Sequence, residues 1–73
     1  MLTKEQLKNL SYNLRLYRFE NNLTQEDLRD LTGLNIATIN AIENEKKKNP
    51  YNSTLMKLAK GLNKDLEELL ERK

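Results

Sequence analysis

Residues 32–42 read TGLNIATINAI, from Thr32 to Ile42, and none of them carries a charge. Across the whole chain 33% of residues are Asp, Glu, Lys or Arg. The mostly charged ENEKKKNP follows directly, from Glu43 to Pro50. Gly33 predicts the end of a helix, because glycine takes left-handed backbone at no steric cost. Asn35 is a good N-cap, and the next helix is expected from Ile36 to about Asn44. On a wheel of about 100° per residue, Ile39 and Ile42 fall together with Thr38 beside them. Ile36, Ala37, Asn40, Ala41 and Asn44 fall on the opposite side. The first group suits a core. The second is small and neutral, where a merely solvated face of this chain would carry Lys and Glu.

The apolar spacing is helical on both sides of that stretch, with no strand-like alternation and no repeat. Upstream, Thr3 with Gln6 fits a capping box and opens helix 1, expected from Lys4 to about Asn21. Leu7, Leu10, Leu14 and Tyr17 fall on one face of it. The Asn21-Asn22 pair can end it in a left-handed turn. Thr24 caps helix 2, which runs to about Thr32 with Leu28 inward and Glu26 and Asp27 favourable in its first turn. Downstream, Asn52 is the expected cap of helix 4, about Ser53 to Leu62, with Leu55, Leu58, Ala59 and Leu62 on one stripe. Asn63 can take the terminating left-handed position. Asp65 with Glu68 opens a short helix 5, Leu66 to about Arg72, with Leu66, Leu69 and Leu70 as inward candidates. The expectation is an all-α, five-helix domain spanning 1–73.

Composition narrows the chemistry. Seventy-three residues bound the chain to one domain with a thin margin of stability. There is no Cys and no His, which removes disulfides, thiolate or imidazole metal sites and His-based acid–base catalysis. Paired carboxylates sit on exposed helical faces and no Gly-rich phosphate loop is present, so no enzyme, cofactor or metal is expected. Apolar runs are too short to span a membrane and MLTKEQLKN lacks the apolar core of a secretory signal, so a cytoplasmic location is the default. The chain ends soon after helix 5, which predicts no separate effector domain. Net charge is only +2 and the pI about 9.0, but the distribution is polar: Lys46, Lys47 and Lys48 cluster at one end, Asp65, Glu67, Glu68 and Glu71 at the other.

Two helices joined at TGLN meet the needs of a helix-turn-helix: Gly33 for the turn, Leu34 to plug the angle, Asn35 to cap the second helix. That second helix enters a major groove with compact side chains against base edges. Asn can hydrogen-bond those edges, and Ile, Ala or the Thr38 methyl can meet a thymine methyl. Carboxylates there would repel phosphate. Thr24 and Gln25, at the N-terminus of helix 2, and the lysines after helix 3 fit phosphate contacts. Double-stranded DNA is therefore the expected partner.

Here LRLYRFENNLTQEDL, TGLNIATINAIEN and NPYNSTLMKLAKGL together resemble the phage-repressor and Cro-like helix-turn-helix family, also called XRE, over about Leu14 to Leu70. The resemblance implies a compact, lambda-repressor-like five-helix fold on operator DNA, usually as a dimer on inverted half-sites, and hence a transcriptional repressor. It implies Thr24, Gln25 and Asn44 near phosphates, and Asn35, Ile36, Ala37, Asn40 and Ala41 at bases. It also implies an internal Arg18–Glu43 pair joining helix 1 to helix 3. Arg29 stands where the family usually has Ala, and Glu45 where Gly usually ends helix 3. The reading face lacks the Gln and Arg of strong bidentate contacts, which points to T-rich contacts or shape readout.

Helix 1 carries a second apolar stripe, Tyr12, Leu16 and Phe19, roughly opposite the first. It either packs under a neighbouring segment or forms a protein interface, for a homodimer or for another protein. Leu69 and Leu70 lie in the family's more usual dimer region. A protein-interaction module, antitoxin-like or phage-type, is the alternative to a DNA-binding repressor.

Overall fold

The computed structural model describes residues 2–72. Five helices follow in order: α1 (Lys4–Glu20), α2 (Gln25–Thr32), α3 (Ile36–Glu43), α4 (Asn52–Leu62) and α5 (Leu66–Leu70). Among the described residues there is no strand, so the all-α reading holds. α1 lies against α3 and α5, α2 against α3 and α4, and α4 against α5. Leu10, Leu14, Leu28, Leu34, Ile39, Ile42, Leu55, Leu58, Leu62 and Leu69 meet in one core. Ten aliphatic side chains, in a chain without cysteine, leave hydrophobic burial as the main stabilising term. Leu7 and Tyr17, expected inward, are only half-buried; Leu66 and Leu70 pack half-buried at the core's edge.

Side-chain caps start the first three helices as the sequence predicts. Thr3 and Gln6 exchange both capping-box bonds, as do Thr24 and Asp27, and Asn35 Oδ1 accepts from the Thr38 N–H at 2.8 Å. Three other boundaries differ from expectation: the end of α1, the start of α4 and the end of α5. α1 stops at Glu20, one residue before the expected end, and of the Asn21-Asn22 pair Asn22 takes the expected left-handed position at φ 53°, the Leu23 N–H reaching back to the Arg18 carbonyl. α4 begins at Asn52 itself: Tyr51 holds the N-cap position and no side chain caps it. Asn63 ends that helix left-handed, as expected.

α5 ends at Leu70, short of the expected Arg72, for a tertiary reason. Asn13 of α1 turns its carboxamide Nδ2 to the carbonyls of Leu69 at 2.8 Å and Glu71 at 2.7 Å, and buried Asn9 donates to the Leu70 carbonyl at 3.0 Å. α1 thus satisfies the terminal carbonyls that α5 leaves without an intrahelical partner, and the chain turns away there, with Glu71 extended. At its start, the Glu68 carboxylate accepts the Asp65 N–H at 3.1 Å.

Candidate nucleic-acid interface

The turn between α2 and α3 is built by four residues. Gly33 adopts φ +77° and its N–H closes α2 on the Arg29 carbonyl at 2.8 Å. The buried Thr32 hydroxyl donates to the Leu28 carbonyl and accepts the Leu34 N–H, tying both sides of the turn. Leu34 is buried in the angle between the helices, and Asn35 caps α3. Ile39 and Ile42 anchor α3 inward. Asn35, Ala37, Asn40 and Asn44 are then exposed, and Ile36, Thr38 and Ala41 half-buried. The short neutral set anticipated from the wheel is therefore the outer surface of α3.

The angle of α3 is held by a polar node at its C-terminal end. The Glu43 carboxylate, 5% exposed as a residue, accepts Arg18 Nε at 2.8 Å and Arg18 Nη2 at 3.0 Å. Gln25 Nε2 donates to the same carboxylate at 3.1 Å. The Ser11 hydroxyl donates to the Glu43 carbonyl. Hydrogen bonding to Glu43 raises the Arg18 pKa, against the opposing effect of burial. So α1, α2 and α3 meet at one buried charge, and the Arg18–Glu43 pair stands as the resemblance implied. The sequence suggests a phosphate contact for Gln25; its amide also reaches across to Glu43, and nothing in its sequence neighbourhood signals that. Ser11 was also missed; its one signal is a small polar residue beside the inward stripe of α1.

Thr24 is exposed at the start of α2, where its hydroxyl caps the helix. The backbone N–H and the hydroxyl of Thr24 hold the Asp27 carboxylate below its ordinary pKa of 3.8. After α3, Glu45 takes the left-handed position at φ 57° that glycine would occupy without strain. The Lys46 and Lys47 N–H groups both turn back to the Ala41 carbonyl, at 2.8 and 3.3 Å. This fixes the lysine loop beside α3. Lys46 and Lys48 are exposed, while Lys47 sits with its ammonium 5.4 Å from the ring centre of Tyr51. Tyr51 itself is 71% exposed at the start of α4, an aromatic flank to the lysines that sequence reasoning passed over.

The fold and this surface can now be set beside known proteins. Residues 13–73 match the family model of the Cro/C1-type helix-turn-helix DNA-binding domain. The chain belongs to that family. It is a Cro/C1-type DNA-binding transcription regulator, with α2 and α3 as its helix-turn-helix. Control protein C.SmaI of Serratia marcescens is 44% identical over 63 residues, covering 86% of this chain and 74% of the relative. The crystal structure of a hypothetical transcription factor, NHTF, from Neisseria superposes with a TM-score of 0.79 at 32% identity, covering 97% of this chain and 83% of that one. Arg29, unusual for the family, lies at the surface with Nε 3.3 Å from Asp30. It is solved by pointing outward, as a long cationic side chain on a packed helix must.

The apolar stripe of α1 is not isolated. Tyr12 and Leu16 are half-buried, and with Tyr17 and Leu69 they line a groove of about 270 Å³ between α1 and α5. The guanidinium of Arg72 lies 4.1 Å from the Tyr12 ring centre. Phe19, next along the stripe, is 81% exposed. Of the two surfaces read as competitors, Leu69 is the buried wall of this groove and Leu70 packs against the core beside it. Among the described residues no cluster of acidic side chains is arranged to hold a metal, and no helix is long and apolar enough to cross a membrane.

Proposed function

We propose that this regulator is a cytoplasmic repressor that binds an inverted-repeat operator as a homodimer, with α3 in the major groove. The carrying observation is the uncharged outer face of α3, braced by the Arg18–Glu43–Gln25 node and flanked by the lysine loop. Asn35, Ile36, Ala37, Thr38, Asn40 and Ala41 meet base edges. Thr24, Gln25 and Asn44, with Lys46, Lys47 and Lys48, engage phosphates on either side, Gln25 doing so from its bond to Glu43. Two such helices placed about 34 Å apart by a dimer match successive major grooves of one duplex face. A single copy with so few base contacts binds too weakly for occupancy at physiological salt. Repression follows from occupancy of the promoter.

Selection on random-sequence duplex DNA at about physiological salt tests this reading. Recovery of an inverted repeat, with half-sites about one helical turn apart, is expected. A single unpaired half-site removes the dimer, and failure of folded protein to select any sequence removes base reading. The exposed Phe19 beside the Tyr12–Leu16–Leu69 groove favours a second use of the molecule, docking of a protein. That use and DNA binding occupy different faces.

A further inference from the structure

The groove between α1 and α5 joins an apolar floor to an acidic rim. Half-buried Tyr12, Leu16 and Tyr17 of α1 and buried Leu69 of α5 form the floor, and Phe19 stands exposed beside it. The exposed carboxylates of Glu20, Glu68 and Glu71 line the rim, with Lys64 as the one cation among the lining residues. Asp65 and Glu67, also exposed, continue the acidic surface around α5. Among the described residues neither Glu20 nor Glu71 is in an ion pair. The chain as a whole carries +2, so this excess of carboxylate is local. Such a face repels polyanions, which removes duplex DNA and anionic lipid as its occupants. The ring of Tyr12 already shows what it accepts: the Arg72 guanidinium lies 4.1 Å from its centre.

We infer that this groove docks a segment of a partner protein that carries arginine beside large apolar side chains. This rests on the reading of the face as a protein-docking surface. An arginine of the segment replaces Arg72 on the Tyr12 ring. One guanidinium exchanges for another, so the cation–π contact is kept and Arg72 returns to water. An apolar side chain enters against Leu16, Tyr17 and Leu69 and takes the exposed Phe19 ring out of water. Further cations of the segment meet Glu20 and Glu71. Arginine suits the site better than lysine, whose compact, strongly hydrated ammonium does not stack flat on a ring. A second copy of this chain is the poorer occupant. Paired by a two-fold axis, it brings the same carboxylates to the same contact, so the charges oppose rather than complement one another.

The test is NMR titration of the full chain with three designed peptides. Each is a helix with leucine along one face, flanked by arginine in the first, glutamine in the second and glutamate in the third. The arginine peptide is expected to shift the backbone amides of Tyr12, Leu16, Phe19 and Leu69, the glutamine peptide to do so more weakly, and the glutamate peptide not at all. Glu20→Gln with Glu71→Gln changes two exposed side chains outside the core. It is expected to weaken binding of the arginine peptide about fivefold, the loss of two exposed ion pairs. Equal binding of all three peptides at these residues overturns the arginine chemistry and leaves the docking reading standing, as does an unchanged affinity in the double variant. If no peptide shifts these residues, the inference falls together with the docking reading. If the same amides shift with the concentration of the protein alone, a second copy holds the groove, and the inference is overturned in its favour.

Discussion

At the scale of single residues, the outer face of α3 and its buried brace make opposite demands. Asn40 is exposed and bonded only to Asn44, so changing it costs the fold little. Asn40→Asp removes the donor and adds a charge facing phosphate. It is expected to abolish sequence-specific binding with helical content by circular dichroism unchanged; retained binding would move the reading surface elsewhere. Arg18→Ala does the reverse. It leaves the Glu43 carboxylate, whose side chain is 4% exposed, with Gln25 as its remaining side-chain partner. A fully buried pair broken this way costs roughly 3–5 kcal/mol. Arg18 keeps 30% of its side-chain exposure, so water offsets part of the loss and about 2 kcal/mol is expected in chemical denaturation. Arg18→Lys recovers the charge but not the two-pronged geometry, and only part of the stability. The pair was legible through the resemblance. The third member was not, because Gln25 lies 18 residues from Glu43 and their meeting depends on how α2 crosses α3.

At the scale of elements, local chemistry was readable and tertiary chemistry was not. Thr3, Thr24 and Asn35 announce three helix starts, since each cap acts on N–H groups two or three residues away. The end of α5 is set by Asn9 and Asn13, more than fifty residues away in the chain, and no local signal carries that. Gly61 is a second such case. It sits near the end of α4, and a Cβ there would lie 2.7 Å from the Leu31 carbonyl oxygen and 2.9 Å from Thr32 Cα. Its absence lets α4 seat against the end of α2, beside the turn. Gly61→Ala is therefore expected to destabilise by about 1–3 kcal/mol, although Ala is the better helix former. Thermal melting checks it, at roughly 4–8 °C per kcal/mol for a domain of this size. The cap at the start of α2 also carries a pH dependence. Folding lowers the Asp27 pKa through its Thr24 hydrogen bonds, so the stabilisation is present above the unfolded pKa of about 3.9. It is lost as pH falls through the lower, folded value. Melting temperatures of the wild type are expected to drop more than those of Asp27→Asn between about pH 5 and the acid limit. Parallel curves would mean that the cap does not distinguish the ionised form.

At the scale of the whole molecule, the charge asymmetry seen in the sequence and the apolar groove seen in the structure divide the labour between two faces. Lys46, Lys47 and Lys48 supply attraction for any duplex, because displaced counterions rather than bases govern that term. Replacing all three with Ala is expected to weaken binding to all sequences, and to flatten the dependence of log affinity on log salt by up to about 0.9 per lost phosphate contact. The groove face predicts something else. Phe19 is 81% exposed and contributes nothing to the core, and Leu16 is half-buried at the wall of the groove. Leu16→Gln with Phe19→Ser should therefore leave melting close to that of the parent. If this face joins two copies, sedimentation will show the variant as a monomer, and operator affinity will fall because two half-sites no longer bind as one. If the face serves a different protein, the variant will remain dimeric and select the same inverted repeat with unchanged affinity. The dimer contact would then have to lie elsewhere, for instance on the outer face of α4, where Met56 is 62% exposed. The two outcomes cannot both hold, because a face buried against a second copy of the chain is not open to a third molecule.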